Sequence, residues 1–146
     1  MQHLDSAVPP AAHPQSARWI RSTIAVLLTL AAPAVSTSGA LTTGLKGTSP
    51  AVAFPHGYWV TLVATVAVTV IAAVLAALIA RRDALVAIPV SLGLWLIIGL
   101  AVVVAGIQLG HAGLAHWGVV LIAASIIGAA VGMPLAASGS GKGRRR

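Results

Sequence analysis

The side chains in this 146-residue chain best suited to chemistry are histidines. Three of the five, His56, His111 and His116, stand at the ends of long apolar runs together with Tyr58 and Gln108. A neutral imidazole binds zinc or copper well, so three imidazoles at one level of a fold are a candidate metal site. The spacing argues against it. His111 and His116 are five residues apart, about 140° around a helix, and converge only if the chain bends between them. Both carboxylates, Asp5 and Asp83, fall elsewhere in the chain, so no acidic partner is at hand to orient the rings. The expectation is three interfacial histidines solvated by water and headgroups, with no bound metal and no cofactor.

Other chemistry is poorly supplied. The segment Gly139-Ser140-Gly141-Lys142-Gly143 has the look of a phosphate-binding loop. That motif, however, needs glycine where Ala136 stands and Ser or Thr where Gly143 stands, with a strand before it. The chain has no cysteine, which removes disulfides and thiolate sites. No Asp, Glu, Lys or Arg falls inside a long apolar run, so carboxylate pairs for acid–base catalysis and charged relays for proton-coupled transport are missing there. We therefore expect no enzymatic activity.

The elements that would carry these residues follow from composition. Hydrophobic residues make up 58% of the chain and charged residues 8%, against roughly 25% charged in a soluble domain. The apolar residues are gathered into runs of about 20, the length that crosses roughly 30 Å of hydrocarbon. The formal net charge of +7 would suggest nucleic acid in a soluble protein. Here the basic residues flank apolar runs, and no aromatic residues are interleaved with them to stack bases, so nucleic-acid binding is not expected.

Residues 1–17, with Pro9, Pro10 and Pro14, read as a disordered cytoplasmic tail. A first helix is expected over 19–40, opened by Arg18 and Arg21 and interrupted by Pro33. The same stretch can be read as a cleavable signal peptide with small residues at Ser38 and Ala40, which would leave three helices. Residues 42–57 contain Gly44, Gly47, Pro50 and Pro55 and read as an external loop. A second helix spans 58–80, with Tyr58 and Trp59 at one end and Arg81 and Arg82 at the other. The 58 residues from 84 to 141 carry no Asp, Glu, Lys or Arg and divide at the polar segment 108–113 into a third helix, 84–108, and a fourth, 114–135. Pro134 and the basic tail 138–146 are expected to end the fold. Trp19, Trp59 and Trp117 read as interface anchors, and Trp95 as a lipid-facing or core residue.

With four crossings, eight of the nine basic residues lie on one side and only Lys46 on the other. By the positive-inside rule the reading is an all-α integral membrane four-helix bundle with N- and C-termini in the cytoplasm, set in the cytoplasmic membrane. Small residues mark how the helices would meet. Thr61, Thr65 and Thr69 recur every four residues in the second helix, as do Ala124, Gly128 and Gly132 in the fourth, and Ser91, Gly99 and Gly106 share one face of the third. Such ridges let backbones approach closely, the main source of packing energy in lipid. The functional expectation is an accessory or scaffolding subunit working through helix contacts. Its partners would be membrane lipid and a membrane protein or a second copy of the chain. The rival is a small oligomeric pore or permease, in which the threonine ridge would line a water path.

Overall fold

A computed structural model describes residues 14–44 and 57–141. They are α-helical apart from two short turns, with no strand among them: α1 (Pro14–Gly44), α2 (Tyr58–Ala80), α3 (Ala84–Gln108) and α4 (Ala112–Gly141). Three apolar helical stretches, Gln15–Val35, Tyr58–Gln108 and Ala112–Gly139, are long and apolar enough to cross a membrane. The expected count was four. It becomes three because α2 and α3 form one 51-residue helical stretch, broken only by the 3₁₀ turn Arg81–Asp83.

That turn reverses the chain. Arg81 sits at φ 45°, a left-handed value that costs an L-residue roughly 1–2 kcal/mol, and its N–H caps the Ala77 carbonyl. The reversal is visible in what surrounds α4: Gly128 lies against both Thr69 and Leu92, and one turn further on Gly132 lies against both Ala73 and Ile88. Moving along α4 therefore means advancing on α2 while retreating on α3, as two antiparallel helices require.

The second reversal is a Schellman cap. Gly110 takes φ 67°, His111 N–H donates to the Gly106 carbonyl (2.8 Å) and Gly110 N–H to that of Ile107 (3.2 Å). The His111 carbonyl then accepts from Leu114 and Ala115 N–H, at 3.0 and 3.1 Å, and opens α4.

Two helices outrun their expected bounds. α1 begins at Pro14, inside the stretch read as a disordered tail, because proline at a first helical position loses nothing by lacking an N–H. It also runs on to Gly44, past residue 40. α4 starts at Ala112 and continues through Pro134 and Ser138 to Gly141, although both were expected to end it. Ala136, fully buried in a cluster with Ala25, Ala76, Ala77, Ala80, Ala84 and Ile88, holds the turn after the proline in place. Tertiary packing there overrides local propensity.

The distribution of side-chain size is the reverse of that in a water-soluble core. Buried positions of α2 are Thr65, Thr69, Ala72, Ala73, Ala76, Ala77 and Ala80, while Val60, Val63, Ile71, Leu75 and Leu78 are exposed. On α3, Val86, Val90, Leu94, Ile97 and Leu100 are likewise exposed. Aliphatic side chains outside and small ones inside fit lipid as the solvent, where close backbone approach replaces hydrophobic burial.

Candidate functional site

The small residues form seams between helices of the same chain. Thr65, Thr69, Ser91, Gly99, Gly106, Ala124, Gly128 and Gly132 are all buried and Thr61 is half-buried. The tightest seam joins α3 to α4. A Cβ built at Gly99 would stand 3.0 Å from the Gly118 carbonyl, and one at Gly118 would stand 2.5 Å from the Gly99 carbonyl and 2.7 Å from the Val103 nitrogen. At Gly106 it would collide with the backbone of Ala115. Only glycine permits these approaches. Gly118 was not among the packing positions expected from sequence, yet it lies directly against the backbone of α3.

The seam of α4 with α2 is looser. Cβ atoms at Gly128 and Gly132 would meet Thr69 Cγ2 and Ala73 Cβ, each at 2.9 Å, and the methyl ends of Leu92 and Ile88. The threonine ridge is closed rather than open: Thr69 is 0% and Thr65 1% exposed, and Thr69 Oγ1 donates back to the Thr65 carbonyl at 2.8 Å. Ser125 does the same to Leu121 (2.8 Å) and Thr29 to Ala25 (2.9 Å). Back-bonding of this kind satisfies hydroxyls without water.

Besides packing Ala25 against Ala76, Ala77 and Ala80 of α2, α1 makes two polar contacts, 12 residues apart on both sides, with Asp83 and with Trp95 of α3, so that it runs parallel to α3. At one end, Arg18 grips Asp83 with a fork: Nη2 to Oδ1 at 2.8 Å and Nε to Oδ2 at 3.1 Å. The Arg18 hydrogen bonds, with help from the nearby charges of Arg18 and Arg82, hold the Asp83 carboxyl below the usual carboxylate range. Because the folded value is depressed, the pair contributes above the ordinary carboxylate pKa of about 4 and is lost as pH falls through the depressed value.

Further along, the indole N–H of Trp95 donates to the Leu30 carbonyl at 3.1 Å. The acceptor lies in the turn before Pro33, which has no N–H to give the neighbouring Thr29 carbonyl. Trp95→Phe should keep most of the ring and remove the donor. We expect a loss of about 1 kcal/mol, within the range of interhelical hydrogen bonds in membranes, measured as a lowered Tm in detergent. Trp19→Phe, at a site 78% exposed, should leave the Tm unchanged.

Of the histidines, His56 lies outside the described residues. His111 is half-buried, and its backbone closes the α3–α4 turn. His116 is exposed, with Nδ1 2.7 Å from the Ala112 carbonyl, a contact that requires the proton on Nδ1, and its ring meets Tyr58 edge-on at 5.5 Å. Among the described residues no three His, Cys, Asp or Glu side chains are grouped to hold a metal. Protein purified without a histidine tag is expected to carry no stoichiometric zinc, copper or iron by elemental analysis, and alanine at His56 or His116 should leave folding nearly unchanged. One metal per chain would overturn this reading.

Trp117 was expected at an interface. It is 2% exposed and packs with Val120 and Leu121 against Tyr58, Leu62 and Trp95, because the Gly99–Gly118 approach draws this turn of α4 inward. Trp59, 72% exposed, stays outside. No family model, no curated protein and no solved structure matches the chain, so its function rests on the seams and ends just described.

Proposed function

We propose that the chain is a small four-span membrane protein with both termini in the cytoplasm, acting as an accessory or scaffolding subunit of a membrane assembly through helix contacts. Crossing twice with Tyr58–Gln108 keeps Arg81, Arg82 and Asp83 out of the hydrocarbon. The α1 contacts favour an anchor over a cleaved signal peptide, since removing α1 would strip Trp95 of its acceptor and Asp83 of Arg18.

The observation that carries the reading is the closed threonine ridge: Thr65 and Thr69 are buried, Gly128 packs on Thr69, and the Thr69 hydroxyl is bonded within its own helix. A packed block with its threonine ridge buried, and with the charged side chains among its described residues near the ends of its helices, is suited to contact rather than to transport. In the rival reading, a pore would have to run between copies of the chain.

Two measurements on one preparation separate these. Extracted from native membrane in mild detergent, the tagged chain should co-purify with a membrane protein at fixed stoichiometry. Reconstituted alone in vesicles, it should not release a trapped small dye. Dye release by the purified chain would favour the oligomeric pore.

A further inference from the structure

Where glycines close the α3–α4 seam, the α1–α3 seam at its cytoplasmic end is bridged by Arg18 and Asp83 and, among the described residues, left unfilled around them. A groove of about 510 Å³ lined by Gln15, Arg18, Trp19, Ser22 and Asp83 continues, past Ser22 and Asp83, into a second space of about 320 Å³ walled by Val26, Val86, Ala87 and Val90. From Asp83 to Val90 it descends about 10 Å along α3. Its mouth is polar and its depth aliphatic. Val86 and Val90 are 67% and 64% exposed, so the groove opens on the side that faces lipid.

On the membrane reading given above, we propose that this groove is a binding site for one anionic phospholipid of the cytoplasmic leaflet, with an acyl chain between Val26 and Val90 and the phosphate at Arg18. Charge selects the headgroup. Arg18, Arg21, Arg81 and Arg82 lie at this end against Asp83 alone among the described residues, a net charge of +3. The fork to Asp83 uses Nε and Nη2 of Arg18, which leaves the Nη1 donors outside it for phosphate oxygens. Trp19, beside Arg18 in the groove wall and largely exposed, suits the headgroup–chain boundary. The hydrocarbon also has a reason to enter: an unfilled furrow forfeits dispersion contacts on every atom lining it.

The test is native mass spectrometry of the full chain released from vesicles of phosphatidylcholine containing one-tenth phosphatidylglycerol. The wild type should retain one phosphatidylglycerol per chain, enriched at least tenfold over its share of the bilayer. Val86→Trp fills the groove from a lipid-facing position and should abolish retention. Leu100→Trp, on an exposed position of α3 well beyond the groove, should not. Arg18→Gln should remove the preference for phosphatidylglycerol over phosphatidylcholine. Equal retention of the two lipids by the wild type, or retention by Val86→Trp equal to that of Leu100→Trp, overturns the site and leaves the membrane reading standing. A chain that fails to partition into the vesicles overturns the membrane reading itself.

Discussion

Gly118→Ala is expected to destabilise the protein by about 3 kcal/mol, at the upper end of what overpacking costs and far more than a methyl added at the α2–α4 seam. A new Cβ there would stand 2.5 Å from the Gly99 carbonyl and 2.7 Å from the Val103 nitrogen. Backbone atoms of a helix cannot step aside without breaking the helix, so α3 and α4 would have to separate and give up the close approach that holds them together in lipid. Gly106→Ala meets the backbone of Ala115 and should behave similarly. Gly128→Ala and Gly132→Ala are the internal comparison. Their new methyls meet the side-chain ends of Thr69, Ala73, Leu92 and Ile88, most of which can turn away, and about 1 kcal/mol is expected. Isoleucine at 128 or 132 exceeds that slack and should cost about 1–3 kcal/mol. Membrane accumulation and Tm in a mild detergent read the series. If Gly118→Ala and Gly128→Ala fall equally, the graded picture of the seams is wrong.

The same seams show where sequence reasoning reached and where it stopped. The ends of α2 and α3 were legible because charge and polarity mark them: Tyr58, Arg81, Asp83 and Gln108 are abrupt changes in otherwise apolar runs. The ends of α1 and α4 were not, since Pro14 opens a helix that proline elsewhere would break, and Ala136 supports helix beyond Pro134 through contacts that no local pattern reveals. Ridges with a spacing of four pointed to Gly128 and Gly132 but passed over Gly118, six residues before Ala124. The relevant relation runs across the turn: the contacts of Gly128 with Leu92 and of Gly132 with Ile88 centre the hairpin at Gly110, which brings Gly118 within one helical turn of the position opposite Gly99. The Arg18–Asp83 fork and the Trp95–Leu30 bond depend on the register of α1 against α3, which nothing local in the sequence encodes. The buried place of Trp117 depends likewise on how closely α4 approaches α3.

Reporter fusions to the full-length chain are expected to divide into two all-or-none groups. An enzyme active only outside the cytoplasm should be active after Lys46 and after His111, and silent after Asp83 and after Arg146. The physical basis is the cost of the alternative. Were Tyr58–Gln108 to cross once as a single helix, Arg81, Arg82 and Asp83 would fall near its midpoint, at about 2.5–3.5 kcal/mol each, or roughly 8–10 kcal/mol together. The turn as built avoids this and sets the three charges together at one end of the bundle, with Asp83 held by Arg18. Arg81 adds an independent argument. At φ 45° glycine would relieve roughly 1–2 kcal/mol of strain, so the backbone by itself favours glycine, and what arginine contributes there is charge. Replacing Arg81 with glycine should accordingly leave the turn intact while weakening the charge bias, and replacing Arg81 and Arg82 together by neutral residues should let a fraction of chains place this turn outside. Activity of the fusion after Asp83 in the unaltered chain would mean that α2 does not end in the cytoplasm, and with it the four-crossing arrangement, the orientation and the cytoplasmic placement of the α1–α3 groove would all fall.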